Sequence, residues 1–219
     1  MGFLLEWAGF RLVLDLGWGT ATRLLDLVTD VDAVAVTHEH PDHCADLGGL
    51  ARARYFAAER GPVVPLFTTP GTAARVQAME PTEALSEVFA LHELPGTYPV
   101  GPFGLSGALL PHFVPHAGVR LSGPLEMAYS GDAGAGAELD ALAAGASVLI
   151  AGVTHGPGEP SPLLLRAGEA GACAARAGVS RLVLTHFWPG SDRAAAVAEA
   201  RAAFGGEIIA AEDGMVIHL

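Results

Sequence analysis

Short β-branched and leucine-rich runs alternate along this chain with alanine-rich stretches of helical period, an order that predicts an α/β protein. Strands are expected over Leu12–Leu16, Ala33–Thr37, Val63–Thr68, Met127–Ser130, Val148–Ala151, Leu182–Thr185 and Glu207–Ala210. Helices are expected over Thr20–Val28, Ala45–Ala58, Thr72–Met79, Ala135–Ala144, Leu163–Ala177 and Asp192–Phe204. Between Leu94 and Pro124 the pattern breaks into turns and short apolar runs, which predicts antiparallel, hairpin-connected strands there. No repeat or low-complexity linker interrupts the chain, and 219 residues, 51% of them apolar, bury one good core more comfortably than two. A single domain over residues 1–219 is expected.

Polar residues interrupt the pattern at the ends of strands. The apolar run Val34-Ala35-Val36-Thr37 leads straight into His38-Glu39-His40-Pro41-Asp42-His43, three imidazoles and a carboxylate in six positions. Tyr129-Ser130-Gly131-Asp132 and Leu184-Thr185-His186 repeat the order of strand, then metal-ligating residue type. Strand ends are where a rigid scaffold hands residues to a site. In an extended segment His38 and His40 point the same way, while Asp42 and His43 lie past Pro41, where the chain must turn. One loop can therefore serve two neighbouring metal positions, and imidazole with carboxylate oxygen suits zinc, manganese or iron. A solvated histidine loop that binds nothing is the competing explanation; the apolar strand directly ahead of the cluster argues against it. For Asp132 the alternative is a turn aspartate that bonds its own backbone.

Charge narrows the partners. A formal charge of −12 with only twelve basic residues counts against a protein that lives on nucleic acid. The two cysteines, Cys44 and Cys173, form no CxxC pair and follow no secretory leader pattern, so a reducing cytoplasm is expected. Apolar stretches break well before the roughly twenty residues that span a bilayer, so no membrane segment is expected. No Ser-His-Asp or Cys-His arrangement competes with the histidine cluster, and Gly48-Gly49 lacks the Lys and Ser/Thr of a phosphate loop.

Together, HxHxDH after a strand, a distant His, a Gly-Asp and a late Thr-His resemble the metallo-β-lactamase superfamily over nearly the whole chain. Leu14-Asp15-Leu16-Gly17, Tyr129-Ser130-Gly131-Asp132 and Arg181-Leu182-Val183-Leu184-Thr185-His186-Phe187 look most like its ribonuclease Z and cyclic-nucleotide phosphodiesterase branch. The resemblance implies a four-layer αββα sandwich of two mixed β-sheets flanked by helices. It further implies two divalent ions, Zn2+ first with Mn2+ or Fe2+ as alternatives: His38, His40 and His116 hold one, Asp42, His43 and His186 the other, and Asp132 bridges them. Asp15 becomes a residue that orders the metal loop. His112, four residues before His116, qualifies equally by spacing, and the family pattern favours His116. His92 and His218 are read as ordinary surface or strand-end residues, His155 as structural with a place at the site as the alternative, and Cys44 as a packed thiol.

Two such ions lower the pKa of a bridging water to near neutrality and clamp a developing oxyanion, which is the chemistry of hydrolysis. Asp42 is then the residue closest to a general base. Several departures from the ribonuclease Z pattern speak against transfer-RNA processing. Only fifteen residues separate His116 from Asp132, too few for a long arm that grips tRNA. Gly152 and Leu164 stand where that branch carries a Glu and a His that protonate the leaving oxygen. Family members also open with a strand and a glycine turn ahead of the residues matching Gly2-Phe3-Leu4-Leu5-Glu6, so a misplaced start or a missing edge strand is expected here. The leading expectation is a phosphodiesterase on small or cyclic substrates. A lactone or carboxylic-ester hydrolase and a non-catalytic metal-binding relative are the alternatives, and a homodimer is in keeping with the family.

Overall fold

The computed structural model describes residues 1–80, 82–154, 156 and 160–219. They form two compact units, one of residues 1–96 with 100–102 and one of residues 97–99 with 103–219.

The first unit carries a five-stranded mixed sheet in chain order: β1 (Phe3–Trp7), β2 (Phe10–Leu14), β3 (Ala33–Val36), β4 (Val64–Thr68) and β5 (Phe89–Glu93). β1 and β2 are antiparallel, turned by Ala8 and Gly9 at positive φ; the remaining neighbours are parallel. β3 lies between two parallel partners and buries all four of its residues, which is why its sequence reads as an unbroken apolar run. Helices α1 (Thr20–Leu27), α3 (Leu47–Tyr55), α4 (Pro70–Met79) and α5 (Ala84–Val88) supply Leu24, Leu50, Val76 and Leu85 to a core shared with Val34, Val36 and Leu66; a single turn, α2 (Pro41–Cys44), follows β3. The pattern does not anticipate β1, β5, α2 or α5. β1 and β5 are the two edges of the sheet, and their half-exposed residues carry little of the periodicity that burial imposes. β2 ends at Leu14, two residues short of the expected limit, because Asp15 turns to φ 61°, where strand pairing stops.

The second unit contains all but the last residue of β6 (Thr97–Val100), with β7 (Phe103–Leu109), β8 (Ala117–Ser122), β9 (Met127–Tyr129), β10 (Val148–Gly152), β11 (Arg181–Thr185) and β12 (Glu207–Ala210), aligned in the order 12-11-10-9-8-7-6. β7, β8 and β9 are antiparallel, as the turn-rich middle of the sequence predicts, and β9 to β12 are parallel. Helices α6 (Ala137–Ala143), α7 (Ala167–Ala177) and α8 (Arg193–Arg201) complete it, with Leu139, Leu142, Leu149, Leu165, Leu182 and Phe204 in its core. α7 begins at Ala167, later than its alanine pattern suggests, because the Glu169 carboxylate caps the Arg166 N–H at 2.9 Å and sets the first turn there. In both units the polar residues of interest follow the carboxyl ends of parallel strands: His38 after β3, Asp132 after β9 and His186 after β11. Among the described residues no helix is long and apolar enough to cross a membrane.

One ionic tie in the first unit has a pH signature. The buried Glu80 carboxylate, just past α4, accepts from the Thr82 hydroxyl at 2.6 Å and from Arg52 of α3 at 3.0 Å. The Thr82 hydroxyl, helped by its N–H and by Arg52, holds the Glu80 carboxyl below the usual carboxylate range. A depressed folded-state pKa contributes stability that is present above the ordinary carboxylate pKa and lost as pH falls through the folded value. Glu80→Gln is therefore expected to lower the thermal midpoint at pH 7, with the gap to the parent closing as pH drops below about 4. A gap that stays constant over that range would refute the assignment.

Candidate metal centre

In the first unit the cluster after β3 is organised by Asp15. Its carboxylate is fully buried and accepts from the Thr37 N–H at 2.7 Å, from the Thr37 hydroxyl at 3.1 Å and from His43 Nδ1 at 2.8 Å. These contacts dictate the tautomers. His43 must carry its proton on Nδ1 to donate to a carboxylate, so its lone pair lies on Nε2. The Thr37 hydroxyl gives its only hydrogen to Asp15; at 2.9 Å it then accepts from His38 Nδ1–H, and the lone pair of His38 also lies on Nε2. That nitrogen is 2.9 Å from His40 Nδ1, and His43 Nε2 is 3.6 Å from Asp42 Oδ2. The loop thus brings together two pairs of potential ligand atoms, His38 with His40 and Asp42 with His43.

Several residues hold this loop that sequence reasoning passes over. Glu39 accepts from Arg75 Nη2 at 2.8 Å and lies against the first turn of α4, where a Cβ on Gly71 would come within 2.7 Å of its Oε2. A carboxylate at a helix N-terminus is stabilised by the helix dipole, so Glu39 anchors the segment between the two histidines. Gly17 gives the Asp15-x-Gly17 pattern its physical reason: a Cβ there would run into the Asp42 carbonyl. Cys44 is buried, its thiol donates to the Glu39 carbonyl at 3.4 Å, and burial, with Asp15 next, pushes its pKa up to about 11. It is a packed thiol. His92 stacks on Phe67 with ring centroids 5.0 Å apart, away from the loop's donor pairs.

In the second unit His112, His116, Asp132 and His186 lie on loops at the ends of β7, β9 and β11. His186 follows β11 at φ 59°, in the left-handed region, with Nε2 3.4 Å from Asp132 Oδ1 and Nδ1 3.4 Å from the Thr154 hydroxyl. The Asp132 N–H points to His116 Nε2 at 3.3 Å. His112 sets its Nδ1 3.1 Å from the Leu163 carbonyl, which places its lone pair on Nε2, and the rings of His112 and His116 are 5.3 Å apart. Both histidines therefore remain candidates for one ligand position. Leu164, half-buried ahead of α7, and Gly152, at the end of β10, offer no proton. His155 lies outside the described residues, and His218 sits at the chain end, where its carbonyl accepts from Arg181.

The donor chemistry fits divalent metal in both units. Imidazole nitrogens whose protons are committed elsewhere, with carboxylate oxygens beside them, are the ligand set of zinc, manganese and iron sites.

The family model described as Beta-lactamase superfamily domain matches residues 11–187, across both units. An uncharacterized protein of Mycobacterium tuberculosis is 34% identical over 210 residues, 90% of this chain and 77% of its own length. A ribonuclease Z of Kineococcus radiotolerans is 31% identical over 138 residues, 56% of this chain and 42% of that one. Among solved structures, the metallo-β-lactamase fold protein YhfI of Bacillus subtilis superposes with a TM-score of 0.87 at 23% identity, covering 98% of this chain and 89% of its own. A diphosphatase of the PhnP family gives 0.73 at 17% identity, covering 99% and 83%. The α/β fold with two mixed sheets expected from the sequence is the fold of these neighbours.

The Asp15 network makes a direct prediction. Asp15→Ala strands the His43 Nδ1–H and the Thr37 N–H in a dry core, and is expected to cost about 3 kcal/mol of unfolding free energy in chelator-treated protein. Asp15→Asn keeps the shape but can offer His43 an N–H in place of an acceptor; zinc affinity should then fall by roughly 10- to 100-fold. Urea denaturation and competition with a chromophoric chelator measure the two effects.

Proposed function

The chain belongs to the β-lactamase superfamily, in its ribonuclease Z-like branch, and from that premise we propose that it is a metal-dependent hydrolase of small phosphodiesters, linear or cyclic. In this reading His38, His40 and His116 would hold one divalent ion and Asp42, His43 and His186 the other, with Asp132 available to both. When bound, the pair supplies an acidified water and positive charge for a developing oxyanion. The observation that carries the reading is the buried Asp15–Thr37 network, which turns Nε2 of both His38 and His43 into lone-pair donors before any ion arrives. Such fixed tautomers are what a ligand set needs and what a solvated loop has no reason to maintain. Asp42, with its side chain 39% exposed while His43 beside it is buried, is the carboxylate able both to ligate and to take a proton from water, the part of a general base.

Charge and chain length favour small substrates over RNA. The fifteen residues between His116 and Asp132 are taken up by β8, a turn and β9, with nothing left to form an arm. A net charge of −12 leaves little to neutralise a polynucleotide backbone. Gly152 and Leu164 in place of the acid pair favour, as a second reading, lactones or activated carboxylic esters on the same metals, because these need less help for the departing oxygen.

Protein purified without chelator should contain close to two transition-metal ions per chain by elemental analysis. Asp42→Ala should lose one of them with nearly all turnover, while His92→Ala should retain both; equal losses in the two variants would contradict the ligand assignment. Turnover should also depend steeply on the leaving group. General acid help is worth about two to four orders of magnitude, so aryl phosphodiesters should outrun alkyl ones by a margin of that size beyond what acid-assisted relatives display. A rate independent of leaving-group pKa would mean that another residue supplies the proton.

A further inference from the structure

Gly152 ends β10, and the way the Gly131–Asp132 turn folds over it is peculiar to the backbone. A Cβ at position 152 would overlap the Gly131 carbonyl oxygen and come 3.1 Å from Asp132 Oδ1. The first obstacle is backbone, so no rotamer change relieves it. The Ser130 hydroxyl explains the close approach. It accepts the Gly152 N–H at 3.1 Å and donates to the Gly131 carbonyl at 2.8 Å, clasping the turn onto the strand end. Gly131 itself stands at φ 56°, and the Ser130 N–H is held by the Ile150 carbonyl at 2.9 Å. Ser130, Gly131 and Gly152 are all buried, and Asp132 is only 5% exposed. Interiors packed this closely do not absorb an added carbon without moving a neighbour.

We infer that Gly152 is a positioning residue for Asp132, and that the backbone of the Asp132 turn leaves no room for a side chain at the end of β10. Any side chain at 152, a glutamate included, pushes the Gly131 carbonyl and carries Asp132 with it. The functional meaning rests on the proposed metal centre, since Asp132 is the carboxylate that both ions share there; the steric claim does not.

The experiment uses the full chain with Gly152→Ala, Gly152→Glu, Ser130→Ala and, as a control, Gly205→Ala, whose Cβ meets nothing within 4 Å. In chelator-treated protein Gly152→Ala should lower the thermal midpoint by about 5 °C, from strain of the size overpacking causes, while Gly205→Ala leaves it in place. In zinc titrations against a chromophoric chelator, Gly152→Ala should weaken binding by about tenfold or more, and Ser130→Ala, which unclasps the turn without adding volume, should weaken it in the same direction. Gly152→Glu should gain no activity on alkyl phosphodiesters. Should Gly152→Glu not fold, Gly152→Ala and Ser130→Ala still carry the test. Parental midpoint and zinc affinity in Gly152→Ala would overturn the inference, as would faster cleavage of alkyl phosphodiesters by Gly152→Glu. If the parent takes up no zinc yet Gly152→Ala still lowers the metal-free midpoint, the steric inference stands and the proposed function falls.

Discussion

A carboxylate shut off from water must be surrounded by donors, and Asp15 draws its donors from the segment that carries the candidate ligands. That single requirement couples the core of the first unit to the chemistry of its loop. The residue leaves β2 at φ 61°, a conformation aspartate tolerates better than most side chains, and this turn swings the carboxylate under the end of β3. Its neighbours reinforce the arrangement: the Leu16 N–H donates to the His43 carbonyl at 2.7 Å, and the Asp46 N–H to the Leu16 carbonyl at 2.9 Å. Histidine orientation, tautomer and burial are thus one problem with one solution.

The second unit reaches the same end by backbone shape. His186 adopts positive φ directly after β11, and Gly131 does so two residues past β9, just ahead of Asp132. The Thr154 hydroxyl lies 3.4 Å from His186 Nδ1, and the Ser130 hydroxyl clasps the turn that carries Asp132. Glycine is needed at 131 for its positive φ and at 152 because a Cβ there would run into the Gly131 carbonyl.

The positive charge of the chain is largely taken up within it. Arginines in a strongly acidic chain are largely committed within it: Arg52 to Glu80, Arg75 to Glu39, Arg176 to Asp140, Arg181 to Glu207. Exposed pairs of this kind add little stability, yet they satisfy the cations that a polynucleotide would otherwise attract.

The apolar run of β3, the HxHxDH cluster behind it, the Gly-Asp after β9 and the Thr-His after β11 were legible as sequence, because burial of a parallel strand on both faces and the scarcity of metal-ligating side chains at strand ends leave a local mark. Edge strands β1 and β5 left none, since half-exposed positions tolerate either polarity. Motif resemblance marked Asp15 as an ordering residue, but not the route by which it acts, through Thr37 to one histidine and directly to another. The parts played by Glu39, Thr154 and Ser130 were not marked in the sequence, and Gly152 looked like a lost acid. Each of these depends on which atoms meet across tens of residues of chain, and hydrogen-bond direction and steric contact are properties of distance and angle that residue order does not encode. Residue order fixes which side chains are available to a metal and where along the chain they fall; the folded backbone fixes which nitrogen of each ring bears the lone pair and which positions have no room for a side chain.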